Sequence, residues 1–250
     1  DDLDFLIDGG LPRGAEGVFI AGTGGGKSMA LNQIFATSLM NNQFAVYATL
    51  ELPPSMVLAR TKSAMTSIPV NDLLMGNSKR AAELIEKNVS NIGCGVVKEF
   101  TAGATTIEDI SDWVDSCEQQ EGREVDLIVV DYADKLAAPK EKSEYNAMKI
   151  VYEGLRIMAV DRKCWVWTAS QAGRGGKGSK RIDLHDVADS MHKVRVADLV
   201  VTITPKEDHG NVEVEFFIAK YRAGRARTSV GPLTTEFEYG RVAPSSMVLR

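Results

Sequence analysis

The sequence is poor in cysteine and histidine, and it contains no long apolar run. Its 250 residues include only three cysteines and three histidines, and none of them has the spacing of a zinc site or a disulfide framework. No stretch approaches the roughly 20 apolar residues that a membrane-spanning helix needs, and no signal peptide is expected. These absences predict a protein of a reducing, cytoplasmic compartment that makes no membrane contact.

The chain also lacks an excess of positive charge. Its 29 basic and 34 acidic residues give a net charge of −5, so any binding to nucleic acid must come from a local patch of Lys and Arg. A hydrophobic content of 44% suits a globular protein with a large core. Because we find neither an internal repeat nor a linker, we expect residues 1–250 to form a single domain.

Apolar runs alternate with segments of helical periodicity. Buried strands are predicted at 17–21, 44–50, 94–100, 127–131 and 165–170, with helices between them, although periodicity is weak over 66–92. Thr105 and Glu108 have the spacing of a capping box before one of these helices. The C-terminal part favours strands and turns. This order predicts an α/β fold whose mostly parallel sheet is flanked by helices and carries an antiparallel β extension at the C-terminus.

A glycine-rich loop separates the first predicted strand from the first predicted helix. It matches the phosphate-binding pattern G-x-x-x-x-G-K-[ST] except that Ala21 takes the first position. Its backbone N–H groups would surround phosphate oxygens, Lys27 would reach the β- and γ-phosphates, and Ser28 would ligate Mg²⁺. The alternative is a flexible glycine turn that happens to precede Lys-Ser. The residues expected to bind ATP are Gly22, Thr23, Gly24, Gly25, Gly26, Lys27 and Ser28.

Three polar residues at the ends of predicted strands are candidates for the chemistry. Asp131 follows the apolar run 127–130 and has the form of a Walker B acid, which would hold Mg²⁺. Glu51 lies just before the turn at Pro53, where a carboxylate can orient or deprotonate water beyond the γ-phosphate. Gln171 could sense the γ-phosphate through its amide. A surface glutamate and an ordinary exposed glutamine remain the alternatives for the last two.

A glycine-rich segment after Gln171 carries a first group of positive charges. Its composition suits a loop that grips the phosphate backbone of single-stranded DNA without reading bases. A solvated loop of no particular function has the same composition. The candidate DNA-binding residues are Arg174, Lys177, Lys180 and Arg181.

A second basic cluster follows the predicted strand that ends at residue 219. A cation presented from here to the nucleotide of a neighbouring subunit would act as an arginine finger. A solvated basic turn or a set of structural ion pairs is the alternative, and the residues alone do not decide between them. The cluster consists of Lys220, Arg222, Arg225 and Arg227.

Taken together, these segments resemble the motor domain of DnaB-type replicative helicases, over nearly the whole chain. In that family the phosphate-binding loop also begins with alanine. The resemblance rests on the glycine loop and on six further segments in the right order. These are Gly9-Gly10-Leu11-Pro12, Thr49-Leu50-Glu51-Leu52-Pro53, Val130-Asp131-Tyr132, Ser170-Gln171 followed by Arg174, Ala197-Asp198-Leu199, and Ala219-Lys220-Tyr221-Arg222-Ala223-Gly224.

The resemblance implies a RecA-like P-loop fold and an ATP-dependent DNA helicase that works as a homo-oligomer, a hexameric ring, during DNA replication. Single-stranded DNA and a primase or another replication protein would be its partners. By the same resemblance Glu51 is the catalytic carboxylate, and Lys220 and Arg222 enter the site of the adjacent subunit. The family's N-terminal collar domain is expected to lie outside these residues.

Two other classes of protein share this fold. A RecA/RadA-like recombinase would form filaments on DNA, and a KaiC-like regulatory ATPase would lack hydrolysis stimulated by DNA. Both stay open as alternatives to the helicase. A degenerate nucleotide-binding module is disfavoured because Lys27, Ser28, Glu51 and Asp131 are all present.

Overall fold

The structure is a computed structural model that describes residues 10–76, 78–88, 91–138, 144–172, 195–208 and 211–244. Its helices and strands follow one another in the alternating order expected for the first two thirds of the chain. In chain order they are β1 (Glu16–Ala21), α1 (Lys27–Met40), β2 (Ala45–Thr49), α2 (Pro54–Thr66), α3 (Val70–Leu74), α4 (Ser78–Asn88), β3 (Gly95–Glu99), α5 (Ile107–Glu121), β4 (Leu127–Asp131), α6 (Glu144–Arg162), β5 (Trp165–Gln171), β6 (Leu199–Asp208), β7 (Asn211–Tyr221), β8 (Thr228–Glu236) and β9 (Arg241–Pro244).

One nine-stranded sheet runs through the molecule in the order β3-β2-β4-β5-β1-β6-β7-β8-β9. The strands from β3 to β6 pair in parallel, whereas β6 to β9 pair antiparallel. The predicted parallel sheet with an antiparallel C-terminal extension is therefore confirmed. Because parallel strands end at the same edge, β1, β2, β4 and β5 bring the segments that follow them together there.

Helices cover both faces of the parallel part of the sheet. Alternate residues of β1 point to opposite faces, so Val18 packs on the face that carries Tyr152 and Leu155 of α6, while Phe19 packs on the face that carries Phe35 of α1. Burial on both faces explains why these strands read as continuous apolar runs. None of the helices in the described ranges is long and apolar enough to cross a membrane.

The start of α5 differs from the expectation by one residue. The capping box is formed by Thr106 and Asp109, whose side chains each accept a hydrogen bond from the other's backbone N–H. The Thr105 hydroxyl instead donates to the Thr101 carbonyl at 3.0 Å, and the Thr105 carbonyl accepts from the Ala137 N–H. The predicted capping box of Thr105 and Glu108 was therefore wrong, because the Thr105 hydroxyl bonds to the turn that precedes the helix.

Candidate nucleotide-hydrolysis site

The glycine loop between β1 and α1 has a backbone that only glycine adopts easily. Gly24 and Gly26 have φ angles of 72° and 87°, in the left-handed region where a side chain causes strain. At Gly25 a Cβ would lie 2.8 Å from the Cβ of Ala21, so this position leaves no room for a side chain. The loop then enters α1 at Lys27, which places its backbone N–H groups at a helix N-terminus.

The Lys27 ammonium lies against the loop itself. It donates to the carbonyls of Gly22 at 2.9 Å and Ala21 at 3.2 Å. Burial lowers the pKa of Lys27, and the negative charges of Glu51, Asp131 and Asp134 act in the opposite direction. Lys27 therefore lies among the acidic side chains of Glu51, Asp131 and Asp134 at the carboxyl edge of the sheet.

Asp131 lies at the end of β4 and is completely buried. Its Oδ1 accepts a hydrogen bond from the Ser28 hydroxyl at 3.2 Å, and its Oδ2 accepts one from the Tyr47 hydroxyl at 2.8 Å. Burial raises the pKa of Asp131, while these two hydrogen bonds lower it. The pKa of Tyr47 is raised well above its ordinary value by burial and by the charge of Asp131, so Tyr47 is the donor of this pair.

Glu51 lies in the turn that connects β2 to α2. The Thr49 hydroxyl accepts from the N–H of Leu52 at 3.0 Å and donates to its carbonyl at 2.7 Å, which shapes this turn. The Glu51 side chain is 45% exposed and lies 3.9 Å from the Lys135 ammonium. The Leu50 N–H donates to the Asp131 carbonyl, so a hydrogen bond connects the ends of β2 and β4.

Gln171 reaches from the end of β5 to the glycine loop. Its Nε2 donates to the Thr23 hydroxyl oxygen at 2.9 Å. Its backbone N–H donates to Asp134 Oδ2, which also accepts from the Ser170 hydroxyl. Gln171 is therefore connected to the glycine loop on one side and to the segment after β4 on the other.

Sequence reasoning missed two residues of this group, Tyr47 and Asp134. Asp134 accepts from Ser170, from Gln171 and, at 2.7 Å, from the Tyr152 hydroxyl. In the sequence, Asp134 is marked only by being an acidic residue shortly after Asp131. Tyr47 reads as one apolar residue of a buried strand, and nothing local distinguishes it.

Lys220 and Arg222 lie at the opposite edge of the sheet from the glycine loop. Gly17 at the start of β1 pairs with Leu199, and Leu199 pairs with Tyr221. Since β1 has six residues, at about 3.3 Å each it separates the two edges by roughly 17 Å. The structure thus does not bring these two cations to the glycine loop of the same chain.

Both cations are held by the segment that precedes β6. Lys220 donates to the carbonyls of Ala197 at 2.6 Å and Arg195 at 2.9 Å. Arg222 forms an ion pair with Asp198 at 3.0 Å and donates to the Arg195 carbonyl at 3.0 Å. Burial, with the charge of Arg222, lowers the pKa of Lys220 to about 8.

Glu16 is buried beside this group of charges. The Asp198 carboxylate accepts from the Glu16 N–H at 3.1 Å, yet within the described part of the chain neither carboxylate oxygen of Glu16 has a hydrogen-bond partner. Burial and the charge of Asp198 raise the pKa of Glu16 well above its ordinary value, against the opposing effect of Arg156, Lys220 and Arg222. Burial therefore disfavours the ionised form of Glu16 in the folded protein.

Replacing Glu16 by Gln is expected to change how stability depends on pH. A raised pKa in the folded state means that the parent protein loses stability as pH rises from the unfolded value, about 4.3, toward the folded value. The Gln variant lacks this loss, so its advantage should grow by up to about 1.4 kcal/mol per pH unit within that window. Urea unfolding between pH 5 and 8 measures the difference.

The same substitution at the exposed Glu86 is the control for the loss of a surface carboxylate. A difference between Glu16→Gln and the parent that does not vary with pH would show that Glu16 is ionised in the folded protein.

The candidate DNA-binding residues Arg174, Lys177, Lys180 and Arg181 lie outside the described residues. Their assignment to single-stranded DNA therefore stays a prediction.

The parallel sheet, with a glycine loop between its central strand and the following helix, defines a RecA-like P-loop fold. A solved structure of an ATPase domain superposes with a TM-score of 0.80, at 19% identity over 98% of this chain and 90% of that one. A solved structure of a DnaB-like replicative helicase, described together with its interactions with primase, has a TM-score of 0.77 at 20% identity, over 93% of this chain and 58% of that one.

The sequence itself identifies the family. The family model of the DnaB-like helicase C-terminal domain matches residues 1–238, and the chain belongs to that family. The DnaB-like replicative helicase of Enterobacteria phage T4 is 23% identical over 214 residues, which cover 82% of this chain and 45% of the relative. The chain thus spans less than half the length of this curated relative.

Proposed function

We propose that this domain is the ATP-driven motor of a replicative DNA helicase, which hydrolyses nucleotide between the subunits of a ring and moves along single-stranded DNA. The observation that carries the proposal is the division of the required side chains between two edges of one sheet. Lys27, Ser28, Glu51, Asp131 and Gln171 lie at the carboxyl edge, and Lys220 and Arg222 lie at the other. A second copy of the chain would complete the site.

The residues of the glycine loop fit an ATP–Mg²⁺ complex. Mg²⁺ prefers oxygen ligands, and the Ser28 hydroxyl and Asp131 Oδ1 lie 3.2 Å apart beside the loop. Bound there, Mg²⁺ would neutralise charge on the β- and γ-phosphate oxygens. Lys27 would exchange its bonds to the loop carbonyls for bonds to phosphate, and the backbone N–H groups of the loop would bind the remaining oxygens.

Glu51 and Gln171 are suited to the hydrolysis step. The exposed Glu51 carboxylate would take a proton from water as the water oxygen attacks the γ-phosphorus. The bond between that phosphorus and the bridging oxygen then breaks, which releases ADP and inorganic phosphate. Gln171 would lose a γ-phosphate contact at this moment and could pass the change to the segment that follows it, which carries the candidate DNA-binding residues.

The edge of the sheet that carries Arg222 has the positive charge needed to bind the phosphates of a neighbour's nucleotide. A surface cleft of about 520 Å³ lies there, and its lining contains four cations and one acidic residue. That acid, Glu153, is already paired with Lys149 at 3.5 Å. The excess of positive charge would favour a phosphate group presented by the adjacent subunit. The four cations are Lys149, Arg156, Arg195 and Arg222.

Single-stranded DNA is the polymer on which such a motor would act, with a hexamer as the ring and a primase as a further partner. The cytoplasm of a bacterial or phage-infected cell, or an organellar matrix, would be its location. The glycine-rich basic segment with Arg174 and Lys177 is the proposed DNA contact. Nothing in the family assignment favours a recombinase or a regulatory ATPase.

ATPase rates with and without single-stranded DNA test this proposal. We expect DNA to stimulate the parent, and we expect the variant with Arg174, Lys177, Lys180 and Arg181 all changed to Ala to keep its basal rate but lose stimulation. Because each phosphate contact releases counterions, the plot of log affinity against log salt should also lose slope, by up to about 0.7 per contact.

A variant with Lys79, Arg80 and Lys87 of α4 changed to Ala is the control, because it removes surface cations far along the chain from this segment. If the parent and the loop variant have the same DNA affinity and salt dependence, the loop does not contact DNA. A parent ATPase that DNA does not stimulate would contradict the motor itself.

A further inference from the structure

The hydroxyl of Tyr47 is the polar end of an otherwise apolar core side chain. Tyr47 is completely buried in the layer between the sheet and α1. Its ring meets the edge of Phe35 with centroids 5.4 Å apart and an interplanar angle of 82°. A phenylalanine would make the same ring contact, so packing alone does not explain why a hydroxyl is present here.

The strand register explains where that hydroxyl points. Tyr47 in β2 pairs with Val129 in β4, and Thr49 pairs with Asp131. The Tyr47 side chain therefore runs along the strands toward the carboxyl edge, where its hydroxyl donates to Asp131 Oδ2 at 2.8 Å. The glycine loop and the start of α1 lie at this same edge.

The two oxygens of Asp131 consequently have different roles. Oδ2 is taken by Tyr47, whereas Oδ1 faces the Ser28 hydroxyl at 3.2 Å. Asp131 is completely buried, so without Tyr47 its Oδ2 would lose this hydrogen bond with no exposure to water, and one of the two hydrogen bonds that orient the carboxylate would be gone. A buried acceptor that loses its donor carries a substantial penalty.

We propose that Tyr47 is a positioning residue of the magnesium site: its hydrogen bond to Oδ2 fixes the Asp131 carboxylate so that Oδ1 and the Ser28 hydroxyl face the metal together. This inference rests on the proposed ATP–Mg²⁺ site. Residues that orient a metal ligand typically contribute a factor of about 10 to 100 in metal affinity. Tyr47 would thus set the Mg²⁺ concentration that nucleotide binding requires, although it contacts neither the nucleotide nor the metal.

Equilibrium binding of a fluorescent ATP analogue, titrated with Mg²⁺ under conditions that prevent turnover, tests the inference. For Tyr47→Phe the Mg²⁺ concentration at half-maximal binding should rise about tenfold or more. Binding of the analogue in excess EDTA should stay as in the parent, because the glycine loop and Lys27 are unchanged. Thermal unfolding without nucleotide records any loss of stability separately.

Tyr152→Phe is the matched control. Tyr152 is equally buried, and its hydroxyl donates to a different carboxylate, that of Asp134, at 2.7 Å. Its removal should lower stability by a similar amount and leave the Mg²⁺ midpoint in place. An unchanged midpoint in Tyr47→Phe, or an equal rise in both variants, would overturn the positioning role. If binding of the analogue to the parent protein does not depend on Mg²⁺, the metal site in the proposed function is itself wrong.

Discussion

Changing Glu51 to Gln is expected to leave nucleotide binding intact and to slow hydrolysis at least about a hundredfold, the usual contribution of a positioned base. The amide keeps the size and hydrogen-bonding capacity of the side chain but cannot accept a proton from water. Glu51 lies in a turn, is 45% exposed, and its carboxylate lies 3.9 Å from the Lys135 ammonium, a long distance for an ion pair. The substitution should therefore cost little stability. Single-turnover hydrolysis and equilibrium binding, measured on the same preparation, separate the two effects.

Glu99→Gln is the matched control for this experiment. Glu99 pairs with Thr49 and so ends β3 at the same edge of the sheet, and it is also exposed. The Glu99→Gln protein should hydrolyse ATP at the parent rate. Hydrolysis by Glu51→Gln at the parent rate would show that another group activates the water.

Changing Arg222 to Ala is expected to lower steady-state ATPase activity by roughly a thousandfold, because an arginine finger, the role proposed for Arg222, contributes that much or more to phosphoryl transfer. Binding of nucleotide should be spared, since Arg222 lies at the opposite edge of the sheet from the glycine loop of its own chain. A fluorescent nucleotide reports binding, and phosphate release reports turnover.

The exposure of Arg222 and one further variant separate a catalytic role from a structural one. Arg222 forms an ion pair with Asp198 while its side chain is 48% exposed, so we expect its loss to have a small effect on stability. Arg225 is an exposed arginine of the same basic cluster, and Arg225→Ala should keep full activity. An Arg222→Ala protein with parent turnover, in preparations where the ring is assembled, would remove the finger assignment.

The parts of the site that could be predicted from the sequence are those with a local signal. The glycine loop can be recognised because Gly24 and Gly26 need positive φ angles and Gly25 has no space for a Cβ. Asp131 and Glu51 follow buried strands, and parallel strands deliver their ends to one edge. These features depend on a few consecutive residues, so a linear pattern is enough to find them.

The parts that could not be predicted depend on contacts between distant segments. Tyr47 meets Asp131 only because β2 pairs with β4, and this pairing cannot be read from either strand alone. Asp134 becomes a shared acceptor only when β5 brings Ser170 and Gln171 beside it. Glu16 resembles a residue at the exposed start of a strand, although it is completely buried in the folded protein, near the charges of Asp198 and Arg156.

A mixing experiment determines whether the hydrolysis site is shared between two subunits. Lys27→Ala protein lacks the lysine proposed to bind phosphate, and Arg222→Ala protein lacks the proposed finger, so each is expected to be inactive alone. After subunit exchange, some interfaces of a mixed ring pair an intact Lys27 with the Arg222 of its neighbour. We expect partial recovery of ATPase activity in fractions that sizing shows to be mixed oligomers, whereas no recovery in such fractions at any ratio would show that the site is not shared.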